Sequence, residues 1–225
     1  QTFIDNWIKT KGWKLHDHQI KMIQSGASGS SSLLIAPTGG GKTLAGFLPS
    51  IIELNAYPTN SLHTIYISPL KALTVDVARN LLNPLSEMGL KITVETRTGD
   101  TPQSKRQRQR KSPPNILLTT PESLALLISY PDSAAIFQEL RCVIIDELHA
   151  LAPTKRGDLL SLALARLNKW APKARRVGLS ATIPYPEEMA EYLSCGQKIK
   201  TVQIIQAQPT KKPMVQKLNG KSSMP

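Results

Sequence analysis

Two stretches of this sequence hold the residue types that phosphate and water chemistry require. In the first, Ala36-Pro-Thr38-Gly39-Gly40-Gly41-Lys42-Thr43, three glycines precede a lysine and a hydroxyl. Glycines permit backbone conformations that turn successive N–H groups inward, where they can cradle phosphate oxygens. Lys42 would then reach the β and γ phosphates of a nucleoside triphosphate, and the Thr43 hydroxyl would bind Mg²⁺. Ala36 stands where the general pattern has a first glycine, so the match is Ala-x4-Gly-Lys-Thr.

The second stretch, CVIIDELHAL from Cys142 to Leu151, runs apolar residues into Asp146 and Glu147, with His149 two places on. Burying unpaired charge is costly, so adjacent acids at the end of an apolar strand need a task. Beside a phosphate loop, an acid at the end of a neighbouring strand holds Mg²⁺ through its water shell, the role expected of Asp146. Glu147 is expected to face the γ-phosphate and to orient or deprotonate the attacking water. Alternation along the strand would aim the two acids to opposite sides and so separate their tasks. His149, taken by itself, reads as an ordinary hydrogen-bonded packing residue.

The elements that must position these residues are strands alternating with helices. Apolar, β-rich runs predict strands at Leu33–Ala36, His63–Ser68, Ile92–Thr96, Ile116–Thr119, Val143–Asp146, Val177–Ser180 and Val202–Ile205. Helical patterns occupy Lys42 to Leu54, Ala72 to Met88, Glu122 to Ser129, Leu159 to Lys169 and Pro186 to Leu193. Pro49 is expected to kink the first of these or mark its early end. The alternation predicts an α/β fold, a mostly parallel sheet with helices on both faces. Unbroken apolar strands such as LLI and VII suit a sheet buried on both sides. APTGGGKT, SPLKAL, RTGD, TTPESL, DELH and SAT each follow a successive strand, so all should meet at the carboxyl edge, where open α/β sheets bind ligands.

Composition narrows the partner. The 225 residues carry 28 Lys plus Arg against 16 Asp plus Glu, a net charge of +12 with a pI near 9.8. That imbalance favours a polyanion, nucleic acid before membrane. No apolar run reaches membrane-spanning length and no signal-peptide core opens the chain, so it reads as a soluble intracellular protein. Cys142 and Cys195 lack metal-ligand spacing, and Cys142 reads as core. The chain opens at Gln1, not Met, and is expected to be excised from something longer. One domain is expected over 1–205, with 206–225, rich in Pro, Lys and Gln, a linker or the start of a second domain.

In their order and placement, APTGGGKT, SPLKAL, TTPES, DELH and SAT resemble motifs I, Ia, Ib, II and III of superfamily 2 helicases. The segments Arg97-Thr98-Gly99-Asp-Thr101 and DELHALAPTKRGDLLSLALARL resemble large helicase-related (Lhr-type) proteins, most of all the ligase-associated DExH-box helicases of bacterial DNA repair. The resemblance implies a RecA-like first motor domain that uses ATP and Mg²⁺ and moves 3′-to-5′ on single-stranded or tailed DNA. It also implies a second RecA-like domain carrying the arginine fingers, a DNA ligase and a repair nuclease as partners, and a cytoplasmic, nucleoid-associated setting with no membrane. By the same resemblance Lys42, Asp146, Glu147 and His149 are catalytic. Gln19 in KLHDHQIKMI is similar to the glutamine that reads the adenine edge, with an exposed helix glutamine as the lesser alternative. Phe3 and Trp13 are both candidates to stack on the base. Ser180 and Thr182, with His149, would couple nucleotide state to the nucleic-acid site. Pro69, Lys71, Arg97, Thr98, Gly99, Thr119, Thr120 and Glu122 fall in motifs that line the strand-binding surface.

Two basic stretches stay open. Lys105, Arg106, Arg108, Arg110 and Lys111 form either a phosphate-tracking patch or a solvated helix face. The Lys155-Arg156-Gly157 turn is similarly ambiguous, although the family resemblance tilts it toward function. An RNA helicase, or a nucleotide-gated binding module without unwinding, remains the alternative function.

Overall fold

The computed structural model describes residues 2–37, 39–181, 183–194 and 202–207. Seven strands form one sheet: β1 Ser32–Ile35, β2 Thr64–Ile67, β3 Val94–Arg97, β4 Ile116–Thr119, β5 Cys142–Ile145, β6 Arg175–Ser180 and β7 Gln203–Gln206. Their order is β3-β4-β2-β5-β6-β1-β7, and every neighbouring pair is parallel. The expected strands are therefore present, shifted by a residue or two. β7 ends at Gln206, and the linker expected from 206 lies outside the described residues from 208 on, as does Cys195.

Alternate strand residues feed two cores, which is why the strands are continuous apolar runs. On one face Leu33, Ile65, Ile67, Leu117, Val143 and Ile145 pack against helices α6 (Pro121–Ile128), α7 (Ser133–Phe137) and α9 (Lys155–Trp170). On the other, Leu34, Tyr66, Leu118, Cys142 and Ile144 meet α2 (Asp17–Ala27), α3 (Lys42–Ala56) and α4 (Lys71–Glu87). A short α8 (Leu148–Leu151) follows β5, α5 (Gln103–Lys111) follows β3, and α10 (Pro186–Ser194) follows β6.

One local expectation changes, and two features absent from the sequence reading appear. α3 does not end at Pro49 but continues to Ala56. Losing one helical hydrogen bond costs about 3 kcal/mol, which burial of Phe47, Ile51 and Leu54 in the core offsets. The proline also seats against α2: a Cβ on Gly26 would lie 2.3 Å from Pro49 Cβ, so glycine is what lets the two helices close. Finally, the amino terminus is helical. Helix α1 (Thr2–Thr10) buries Ile4, Trp7 and Ile8, a helical spacing, against Ile23 and Leu48.

Candidate functional site

With all strands parallel, the six polar motifs do meet at the carboxyl edge. β1 and β5 are not neighbours, however: β6 lies between them. Asp146 thus reaches the phosphate loop from one strand further away than the sequence suggests, across the end of the Ser180-Ala181 strand.

The loop is locked to the sheet where Ala36 N–H donates to the Ser180 carbonyl at 3.1 Å. Gly39 and Gly41 take φ of 80° and 71°, which other residues adopt only under strain. α3 then opens at Lys42, with Thr43 partly buried in its first turn. Lys42 is 8% exposed and its Nζ lies 4.0 Å from Glu147 Oε1. Among the described residues the ammonium has no hydrogen-bond partner. A buried cation at a helix start without an acceptor fits an anionic ligand such as a phosphate.

Asp146 continues the β5 ladder by one residue, its N–H donating to Ile67 O at 2.8 Å. Its Oδ1 accepts from Glu147 N–H at 2.9 Å, and its Oδ2 accepts from the Tyr66 hydroxyl. Burial and the adjacent carboxylate push the Tyr66 phenol up, so it stays a donor. Tyr66, missed from the sequence, is the group that orients the acid. A tyrosine in the doubly buried run TIYI is the available signal, since a buried phenol needs a partner.

Glu147 corrects the strand-alternation expectation. It lies past the strand in the left-handed region, φ 47° and ψ 44°, as the N-cap of α8. It is the one non-glycine residue with positive φ among those described, and such backbone strain gathers at functional sites. This turn brings Glu147 Oε1 toward Lys42 and Oε2 to 3.5 Å from His149 Nε2. His149 Nδ1 faces the Ala181 N–H at 3.3 Å and the Ser180 hydroxyl at 3.1 Å. A backbone N–H can only donate, so Nδ1 is the acceptor and the neutral ring carries its proton on Nε2, toward Glu147. A continuous path therefore runs from Lys42 through Glu147 and His149 to the end of β6. Thr38 and Thr182 lie outside the described residues.

Gln19 is buried rather than exposed. Its Oε1 accepts from His16 N–H at 2.9 Å, and its Nε2 abuts Gly41, where a Cβ would come within 2.9 Å. His18, also missed, places Nε2 2.9 Å from Gly40 O, and burial lowers its pKa. Beside Gln19 a cavity of about 600 Å³ is walled by Trp7, Trp13, Leu15, Gly39 and Gly41. Trp13, 57% exposed and edge-to-face with Trp7 at 5.7 Å, lies on its rim. Phe3 packs among α1 and the adjoining cores instead. Trp13 is the aromatic that the cavity offers to a planar base.

Along the β2, β3 and β4 ends, Lys71 and Gly99 are exposed, Pro69 is half-buried, and Thr98 and Thr120 are nearly buried. Thr120 caps α6 by accepting from Ser123 N–H at 3.4 Å, and Lys71 pairs with Asp100 at 2.9 Å. Two residues expected on this surface turn inward. Arg97 is 1% exposed and donates to Arg106 O at 3.0 Å. Thr119 is fully buried, its hydroxyl donating to Arg97 O at 2.7 Å. Glu122 presents its carboxylate to Arg156, not to solvent alone. The basic run resolves into a third role: Arg106 donates to Thr98 O at 3.1 Å, Arg108 chelates Glu95, and Arg110 pairs with Asp132 over the Tyr130 ring. Arg106 and Arg108 brace α5 against β3 and the turn after it, and Arg110 ties α5 to the turn between α6 and α7.

A parallel sheet that brings a glycine loop, an Asp-Glu pair and a Ser-Ala turn to one edge defines a RecA-like P-loop domain. The DEAD/DEAH box helicase model matches residues 16–190, and the chain belongs to that family. It is 46% identical over 192 residues to a Lhr helicase/probable uracil glycosylase of Mycolicibacterium smegmatis, covering 78% of this chain and 12% of that protein. It is 40% identical over 205 residues to the ATP-dependent helicase Lhr-Core of Methanocaldococcus jannaschii, covering 84% and 24%. Among solved structures, Mycobacterium smegmatis helicase Lhr bound to ssDNA and AMP-PNP superposes with TM-score 0.84 at 39% identity, over 92% of this chain and 28% of that one. The chain thus spans about a quarter or less of these two curated relatives.

Proposed function

We propose that this chain is the first motor domain of an ATP-dependent DNA helicase, binding ATP·Mg²⁺ and single-stranded DNA on one edge of its sheet. The observation that carries the reading is Lys42: a buried ammonium without a hydrogen-bond partner, facing Glu147 across the phosphate loop. Lys42 and the loop amides hold the triphosphate, and Gln19 and Trp13 hold the base. Thr43 and Asp146 would hold Mg²⁺, which would neutralise phosphate charge when bound. Glu147 takes the proton of the attacking water, and His149 links that acid to Ser180. A pure binding module has no use for a strained, water-facing acid, which favours an enzyme. The Lhr structure bound to ssDNA and AMP-PNP supports both ligands.

In this reading a second RecA-like domain supplies an arginine to the γ-phosphate, worth on the order of 10³-fold in turnover. The 3′-to-5′ direction, the cytoplasmic repair setting with a ligase and nuclease, and the choice of DNA over RNA rest on the family resemblance. The test measures binding of a fluorescent ATP analogue with and without Mg²⁺, then hydrolysis with matched single-stranded DNA and RNA. Expected are Mg²⁺-dependent binding, slow turnover, and preference for DNA. Brisk DNA-stimulated turnover abolished by Glu147→Gln would show that no second domain is needed, and preference for RNA would reverse the substrate.

A further inference from the structure

The Lys155-Arg156-Gly157 turn, unexplained by the nucleotide site, joins three segments of the opposite half of the edge. One guanidinium makes three directed contacts. Arg156 Nε and Nη2 fork onto the two oxygens of Glu122 at 2.5 and 3.0 Å, and Nη1 donates to the Pro69 carbonyl at 2.7 Å. Glu122 lies in the first turn of α6, two residues after the cap Thr120. Pro69 lies in the turn between β2 and α4, and Arg156 in the first turn of α9.

The arginine's own backbone is fixed. Thr154 caps α9 by accepting from Gly157 N–H at 3.3 Å. A Cβ on Gly157 would sit 2.4 Å from Ala152 O and 2.5 Å from Leu151 O, so glycine is required for α9 to start this close to α8. The Tyr192 hydroxyl donates to Gly157 O at 2.6 Å and buttresses the turn. Arg156 thus projects from a rigid corner. Its planar fork matches a carboxylate in a way that a lysine cannot. Hydrogen bonds from Arg156 hold the Glu122 carboxyl below the usual carboxylate range, so the pair stays charged at neutral pH.

The pair is roughly half exposed, so its worth in global stability is small. Its effect is geometric: it sets the distance between the Pro69 turn and the capped start of α6. We propose that Arg156 is a positioning residue for nucleic-acid binding, acting through Glu122 and the Pro69 carbonyl without touching the strand. This rests on the nucleic-acid reading above. Two features separate it from a phosphate contact. Three donors of the guanidinium are spent within the protein, and a carboxylate beside it would repel phosphate.

The test measures affinity for a single-stranded DNA oligomer against salt concentration, with thermal unfolding to verify folding of each variant. Arg156→Gln and Arg156→Lys are each expected to weaken binding about five- to tenfold, with the slope of log affinity on log salt unchanged. Glu122→Gln is expected to weaken binding similarly, although it removes a negative charge from the path of a polyanion. The double variant should be no worse than either single one. The idea fails if Arg156→Gln lowers the slope by about 0.7, the value of one phosphate on a single strand, while Glu122→Gln binds as well or better. It also fails if all variants bind like the parent chain. If the parent chain binds no nucleic acid, the functional reading fails and takes this inference with it.

Discussion

At the amino edge of the sheet, buried charge is met by charge. Arg175, at the start of β6, donates to Glu53 at 2.6 Å and to the Ser50 hydroxyl at 3.3 Å. Glu53 in turn lies 3.1 Å from His63 Nε2, whose Nδ1 is 2.8 Å from the Thr64 hydroxyl. Arg176 sends its guanidinium to the carbonyls of Leu193 and Leu164. Helices that antiparallel the strands end here, and cations suit their negative ends. At the carboxyl edge the buried Lys42 ammonium has no hydrogen-bond acceptor among the described residues, and Glu147, 4.0 Å from it, sits in a left-handed turn. The first edge uses charge to hold the fold; the second keeps charge unsatisfied or strained where a ligand can use it.

The comparison can be broken most directly at Glu53. Glu53→Gln leaves Arg175 buried without a counter-charge, and unfolding free energy in urea should fall by about 3 kcal/mol. That is the low end for a buried pair because the Glu53 side chain is 30% exposed. Nucleotide affinity should be unchanged. Lys42→Met should do the reverse, weakening ATP-analogue binding about 100-fold, roughly 2.7 kcal/mol, while urea stability stays level or rises. Loss of stability in Lys42→Met would mean that the ammonium is structural.

Tyr66→Phe tests the boundary between the two edges, since a core residue there serves the site. Removing one buried hydroxyl costs about 1–2 kcal/mol, and the Mg²⁺ concentration for half-maximal nucleotide binding should rise. An unchanged Mg²⁺ dependence would demote Tyr66 to packing. The smallest effect is one of pH. Burial raises the Glu53 pKa, but the His63 hydrogen bond and the Arg175 charge outweigh it, so the folded value is depressed below 4.5. A depressed carboxyl contributes stability above its unfolded pKa and loses it as pH falls through the folded one. Stability should therefore decline on acidification below about pH 4.5, and Glu53→Gln should flatten that part of the curve.

The loop glycines, Lys42 and the Asp146-Glu147 pair are legible because a strand, a turn and a helix start are local events. So is the common edge, since parallel βα units place every strand's carboxyl end on one side. Tyr66 is harder to read: a polar group in an apolar run signals that a partner exists, but not which one. The KRQRQRK run stays open between a phosphate patch and a solvated face because charge in a sequence carries no record of intramolecular acceptors such as Glu95 and Asp132.

The seven strands, the longer helices between them and the residues at the strand ends follow from the sequence, because periodicity and turn chemistry act over a few residues; the helices α1, α7 and α8 do not. Tertiary structure decided the rest. It set β6 between β1 and β5, turned Arg97 inward, tipped Glu147 into its left-handed turn, and joined Arg156 to Glu122 and Pro69. Those outcomes depend on contacts between residues tens of positions apart, where strand order and burial select the partner and no local pattern can.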